Sequence, residues 1–189
     1  MKKTRIFIIS GPGGVGKTTV VNKLLANEKV KASFIRGITV TTRGQRPKEI
    51  EGKDYFFVEK EEFLRLKKKK FFLENQKILD NHYGTPKLFY LIAKAKKKGL
   101  VLVIDVKGGM YLKKSAKAGK IITIFLAAPN EKELYKRMEK RAESKKIMKQ
   151  RIELAKKELQ FSKCYDYVVI NKKIDKTLKE LRHILLNNN

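Results

Sequence analysis

Four short apolar runs rich in β-branched residues punctuate the chain, at positions 6–9, 100–104, 121–126 and 167–170. Each is continuous rather than alternating, which predicts strands covered on both faces, as in parallel sheets. Between them the apolar positions recur at helical spacing. Over 18–26, Val20, Val21, Leu24 and Leu25 share one side. The stretch 130–141 follows Pro129, with Asn130 placed as cap and Glu133 three positions on, a capping-box arrangement. Met148, Ile152, Ala155 and Leu159 form a further stripe, and Leu178, Leu181 and Leu185 mark the last helix. Strands alternating with helices predict an α/β fold whose parallel sheet is covered on both sides.

The rhythm breaks between 38 and 91. Arg43, Gly44, Arg46, Pro47 and Gly52 are followed by the apolar stretch 55–58, a charged helical stretch at 59–67, and another apolar stretch at 71–79. Short strands around one helix predict a small mixed α+β insertion rather than a further βα unit. There is neither a tandem repeat nor a Pro/Ser-rich linker, so the chain reads as one compact unit: a core over 1–37 and 92–189, and the insertion over 38–91.

Composition narrows the class. The 189 residues include 46 Lys+Arg against 19 Asp+Glu, a formal charge of +27, with 42% hydrophobic residues. That apolar share suffices for a core and argues against general disorder. No stretch is long and apolar enough to span a bilayer. The run 6–9 is too brief for a secretion signal, and glycines follow where a cleavage site belongs. Cys164 is the single cysteine, so an internal disulfide and a multi-cysteine metal site are excluded. The expectation is a cytoplasmic protein without a membrane partner, monomeric or homodimeric. The charge favours polyanionic partners. Lysine runs at 67–70, 96–98 and 145–146 and the closing asparagines fit a lysine-leaning composition at least as well, and no aromatic RNA-stacking motif interleaves with them. No dedicated nucleic-acid partner is expected.

The chemistry begins at Gly11-Pro12-Gly13-Gly14-Val15-Gly16-Lys17-Thr18, which fits G-x-x-x-x-G-K-[ST] in full, after a predicted strand and opening a predicted helix. Glycines there let backbone N–H groups converge on phosphate oxygens, and the helix N-terminus adds a favourable dipole. Lys17 is expected to reach the β- and γ-phosphates of a nucleoside triphosphate, and the Thr18 hydroxyl to ligate Mg²⁺ together with phosphate oxygens and water.

Further motifs follow in order: Thr39-Val40-Thr41-Thr42-Arg43-Gly44-Gln45-Arg46-Pro47, then Glu51-Gly52-Lys53-Asp54-Tyr55-Phe56-Phe57-Val58, Glu74, His82-Tyr83-Gly84-Thr85-Pro86, Ile104-Asp105-Val106-Lys107-Gly108, and Val169-Ile170-Asn171. With the glycine loop they closely resemble guanylate kinase over almost the whole chain. The resemblance implies a P-loop nucleoside monophosphate kinase fold: a three-layer parallel-sheet core, a small GMP-binding insertion and a helical lid at about 137–151. It implies transfer of a phosphoryl group from ATP to GMP, and to dGMP, with Mg²⁺. Arg43 and Arg46 match the arginines that hold the GMP phosphate, and Tyr55 and Tyr83 the tyrosines that complete that site. Glu74 matches the carboxylate that reads guanine, Thr39 and Thr85 the hydroxyls beside the base, and Asp105 the acid near acceptor and metal. Arg137, Arg141 and Arg151 match lid arginines that act with Lys17 and Arg43 in catalysis. The ATP side comprises 11–18, Thr19 and Asn171. Two guanidiniums in one turn suit a dianion physically, and a carboxylate can accept from guanine N1–H and its 2-amino group together, which adenine cannot offer.

The chain also departs from the pattern. The lid reads Arg141-Ala142-Glu143-Ser144 where relatives commonly show Arg-Gly-Thr-Glu. Val103 replaces a common acid, Lys107 a glutamine, and Lys172 and Lys173 two acids. A kinase for another phosphorylated acceptor, a non-catalytic guanylate-kinase-like binding module, and RNA binding through the lysine surface remain as the competing readings.

Overall fold

The computed structural model describes residues 4–115, 120–139 and 145–188. The four apolar runs form strands β1 (Ile6–Ser10), β7 (Gly99–Val103), β8 (Ile121–Ala127) and β9 (Tyr167–Ile170). A further strand, β2 (Phe34–Gly37), joins them in a five-stranded parallel sheet of order β2-β7-β1-β8-β9. In β1 alternate side chains enter different cores. Phe7 and Ile9 meet helices α1 (Lys17–Leu25) and α8 (Ile174–Asn187) on one face, and Ile6 and Ile8 meet α4 (Lys87–Ala95) and α5 (Val106–Ser115) on the other. All four side chains are fully buried, which is why the run shows no polar alternation. Helices α6 (Glu131–Glu139) and α7 (Lys145–Leu159) cover the α1 side through Leu134, Met138 and Ala155. The expected three-layer α/β core is thus present.

Between β2 and α4 lies a second sheet of order β4-β3-β6-β5, built from β3 (Thr39–Thr41), β4 (Tyr55–Phe57), β5 (Phe72–Ile78) and β6 (Asn81–Pro86). Helix α3 (Lys60–Lys68) closes it by stacking Phe63 on Phe72 at 4.7 Å and on His82 at 5.2 Å. Residues 87–91, grouped with the insertion in the sequence reading, start α4, and Phe89, Tyr90 and Ala93 of that helix pack on the first sheet. A short helix α2 (Glu28–Ser33) precedes β2. Asn22 of α1 donates to Asp54 at 3.4 Å and accepts from Arg36 of β2, tying the loop before Tyr55 to the core.

The glycine loop leaves β1 beside β8. Gly11 has φ +145°, and a Cβ there would stand 2.1 Å from the Leu126 carbonyl oxygen. Neither backbone can yield without breaking sheet pairing. Gly11→Ala is expected to cost about 3 kcal/mol or more, lowering the thermal midpoint by roughly 10 °C. An unchanged melting curve would refute this close approach.

Candidate functional site

One cleft runs along the carboxyl ends of β1 and β7, where open parallel sheets bind ligands. On its core side lie Gly11, Gly13, Gly14 and Lys17. Lys17 opens α1, and its Nζ donates to the carbonyls of Gly11 (2.5 Å) and Pro12 (3.0 Å). Thr18 is half-buried in the first helical turn, and Thr19 is exposed. Asn171 is buried beneath the loop: its Nδ2 donates to the Val15 carbonyl at 2.8 Å, and its Oδ1 accepts from the Thr177 hydroxyl at 3.2 Å. The Asn171 carbonyl accepts from Arg137 Nη1 at 3.2 Å, while Arg137 Nε donates to Glu133 at 3.0 Å. Asn171 and Arg137 therefore brace the loop's flank here, outside the residues that line the cleft.

The insertion supplies the opposite wall. Arg43, Arg46, Tyr55 and Tyr83 converge there, with the two tyrosine rings edge to face at 6.3 Å and the Arg43 guanidinium over Tyr55 at 5.3 Å. Burial, then Arg43 and Arg151, pull the Arg46 guanidinium below its ordinary range. Cations from the insertion and from α7 thus crowd one place, as an anion site requires. Burial alone would lower Arg43 as well, but the bonds to Glu49 (2.9 and 3.0 Å) outweigh it and raise it. Burial and the neighbouring Tyr83 raise the Tyr55 hydroxyl.

At the inner end, Glu74 is 2% exposed. Its Oε1 accepts from the Thr85 hydroxyl at 2.7 Å, whereas Oε2 is buried with no hydrogen-bond partner among the described residues. Burial, with Asp105 adding repulsion, pushes this carboxyl up to about 7 against the pull of Thr85. Thr39 lines the same end. Burial also raises Asp105, which the Gly108 N–H at 3.0 Å partly offsets. A Cβ at Gly108 would sit 2.8 Å from Glu74 Oε2, so a larger residue there would have to displace that carboxylate. The third wall is α7, which contributes Arg151, Leu154 and Glu158. Arg141 lies outside the described residues.

One cleft thus brings together the glycine loop at one side and paired arginines plus a buried acid at the other. The guanylate kinase family profile matches residues 3–188. The chain belongs to the guanylate kinase family. It is a nucleoside monophosphate kinase, from a family that phosphorylates GMP. Guanylate kinase from Caldanaerobacter subterraneus subsp. tengcongensis is 38% identical over 98% of this chain and 88% of its own. Guanylate kinase from Mycoplasma genitalium is 42% identical over 96% and 75%. The crystal structure of guanylate kinase from Anaplasma phagocytophilum superposes with a TM-score of 0.80 at 30% identity, covering 100% of this chain and 87% of that one.

Two acids, one behind the kinase cleft and one lining it, escape a motif reading. Glu49 grips Arg43 with both oxygens and accepts the Arg46 N–H at 2.9 Å, so it sets the pose of the arginine turn. Its signal was an acid three residues after Arg46 in a turn. Glu158 shares a helix face with Arg151 at i, i+7, next to the apolar stripe rather than in it.

Proposed function

We propose that this kinase transfers the γ-phosphoryl group of ATP to GMP and dGMP in the cytoplasm, by direct in-line displacement and with Mg²⁺. The observation that carries the acceptor is Glu74. Its buried, unpartnered Oε2 beside a satisfied Oε1 leaves one hydrogen-bonding position open in the cleft. Guanine offers two adjacent donors to such a carboxylate, while adenine leaves it buried and unpaired, a penalty of about 1–3 kcal/mol or more for a charged group. Arg43, Arg46, Tyr55 and Tyr83 are assigned to the acceptor phosphate by charge-assisted bonds. Base and phosphate carry this recognition, so the 2′-position of the sugar is left to vary.

On the donor side the loop N–H groups, Lys17 and Arg151 are assigned to the triphosphate, with Arg137 and Arg141 joining on closure. The hard oxygen donors available, the Thr18 hydroxyl and the carboxylates of Asp105 and Glu158, suit a magnesium ion that keeps several waters and shares phosphate oxygens. Bound there, Mg²⁺ supplies charge neutralisation of the β- and γ-phosphates. The chain's residues position the rest. The GMP phosphate oxygen forms the new bond to the γ-phosphorus as the bond to the β-bridging oxygen breaks. Lys17 and the arginines stabilise the charge spreading over the equatorial oxygens. The acceptor phosphate is largely dianionic at neutral pH, so no general base is required.

A coupled assay of diphosphate formation from ATP, with GMP, dGMP, AMP, CMP and UMP as acceptors, tests this reading. GMP and dGMP should be phosphorylated and AMP at least ~10³-fold less efficiently in kcat/KM. Comparable turnover of AMP, or no GDP from GMP, would overturn it.

A further inference from the structure

Glu158 is an acid on the wall of a cleft assigned to polyanions. It lines the cleft from α7, in company with Lys17 and Asp105. The helix that carries it is anchored behind by the fully buried Ala155 and by Ile152 and Leu159 against the core. Its charged neighbours are Lys17 on the phosphate loop, Asp105 after β7 and Lys107 at the start of α5. The side chain is half-buried on the cleft wall, so water screens its charge only in part. A carboxylate in a pocket for a polyanion is a like charge facing the ligand. A cation and its waters between acid and phosphate would turn that placement from unfavourable to favourable.

We propose that Glu158, acting with Asp105, makes triphosphate binding conditional on the metal. Its carboxylate repels uncomplexed ATP and accepts hydrogen bonds from the water shell of the magnesium complex, so the kinase discriminates MgATP from free ATP. Metal-free triphosphate carries more negative charge into the cleft, and the repulsion is felt in a partly desolvated site where charges are weakly screened. Complexed triphosphate presents water hydrogens on a hard cation, for which an anionic acceptor is favourable. The inference rests on the donor assignment made above, that a triphosphate occupies the glycine loop.

The test is equilibrium binding of AMP-PNP by calorimetry at pH 8.5 without acceptor, once with excess Mg²⁺ and once with excess EDTA. Wild type should prefer the magnesium complex. Glu158→Gln, which keeps the shape and removes the charge, should tighten metal-free binding and weaken or leave unchanged the magnesium complex. The preference should fall about tenfold, ~1.4 kcal/mol. Glu158→Asp keeps the charge and should keep most of the preference. Glu153→Gln, an exposed acid on the other side of α7, should match wild type. A wild-type ratio in Glu158→Gln, a parallel change in both affinities, or an equal collapse in Glu158→Asp would overturn the role of charge at this position. If wild type binds AMP-PNP under neither condition, the donor assignment itself fails and this inference with it. If wild type shows the preference and Glu158→Gln retains it, the inference alone fails.

Discussion

Lys17→Ala is expected to lower kcat for GDP formation at least ~10³-fold while shifting the thermal midpoint by only a few degrees. The lysine begins α1, where the helix dipole and the loop N–H groups already point outward. Its Nζ donates to the carbonyls of Gly11 and Pro12, groups that water can satisfy when the side chain is cut back. The loop keeps its other supports, the Val20 N–H to Gly16 and Asn171 to Val15. Stability therefore has little to lose. Catalysis has much to lose, because phosphoryl transfer asks the protein for placed charge rather than covalent help, and a single preorganised donor is worth about 3–4 kcal/mol in such sites. Lys17→Arg is not expected to rescue, since a planar fork cannot replace a compact ammonium beneath the loop. Single-turnover kinetics with a parallel thermal melt check both halves. Full activity in Lys17→Ala would remove the lysine from the transition state.

The parts of the fold that could be read from the chain were those set by short-range pattern. The glycine loop declares itself in eight consecutive residues, and the run at 6–9 is apolar throughout because the sheet is covered on both sides. The Asn130 cap is present as expected, its Oδ1 accepting from the Glu133 N–H at 2.8 Å. What stayed hidden was set by partners distant in sequence. Strand β2 looks polar because Arg36 interrupts it, and that arginine is tolerated through Asn22, fourteen residues away. Helix α5 is disguised by Gly108 and Gly109, which a propensity reading counts against a helix. They stand there because side chains would strike Glu74, or Tyr165 and Ser10. On α7 the stripe of Met148, Ile152, Ala155 and Leu159 marks the core face. The neighbouring face of Arg151, Leu154 and Glu158 has no apolar signature, so only the cleft identifies it. Asn171 and Arg137 illustrate the converse: the positions match a motif, but their side chains here hold the loop rather than line the cleft.

Glu74 should give the enzyme a pH signature that its isosteric variant lacks. With the carboxyl raised to about 7, its burial keeps it protonated through the mildly acid range. Guanine recognition needs the carboxylate, so GMP affinity should climb as pH rises through about 7. Ionisation of the GMP phosphate near ~6 raises affinity over part of the same range. Glu74→Gln keeps the phosphate effect and removes the other, so the difference between the two profiles isolates the carboxyl. In that variant GMP should bind roughly 10²-fold more weakly above pH 8, and AMP should be discriminated far less. The unliganded protein should carry the opposite trend in stability. A carboxyl that holds its proton in the native state and releases it near 4.5 when unfolded stabilises the fold at low pH. That contribution, on the order of 3 kcal/mol for this group, is present below about 4.5 and is lost progressively as pH rises towards about 7. Glu158, raised to about 7 as well, adds a similar but smaller slope because it is less enclosed. Glu74→Gln should flatten most of this slope in denaturant titrations between pH 5 and 8, and saturating GMP should restore stability to wild type at the alkaline end. A wild-type slope in Glu74→Gln, together with unchanged GMP affinity, would take guanine recognition away from this carboxylate.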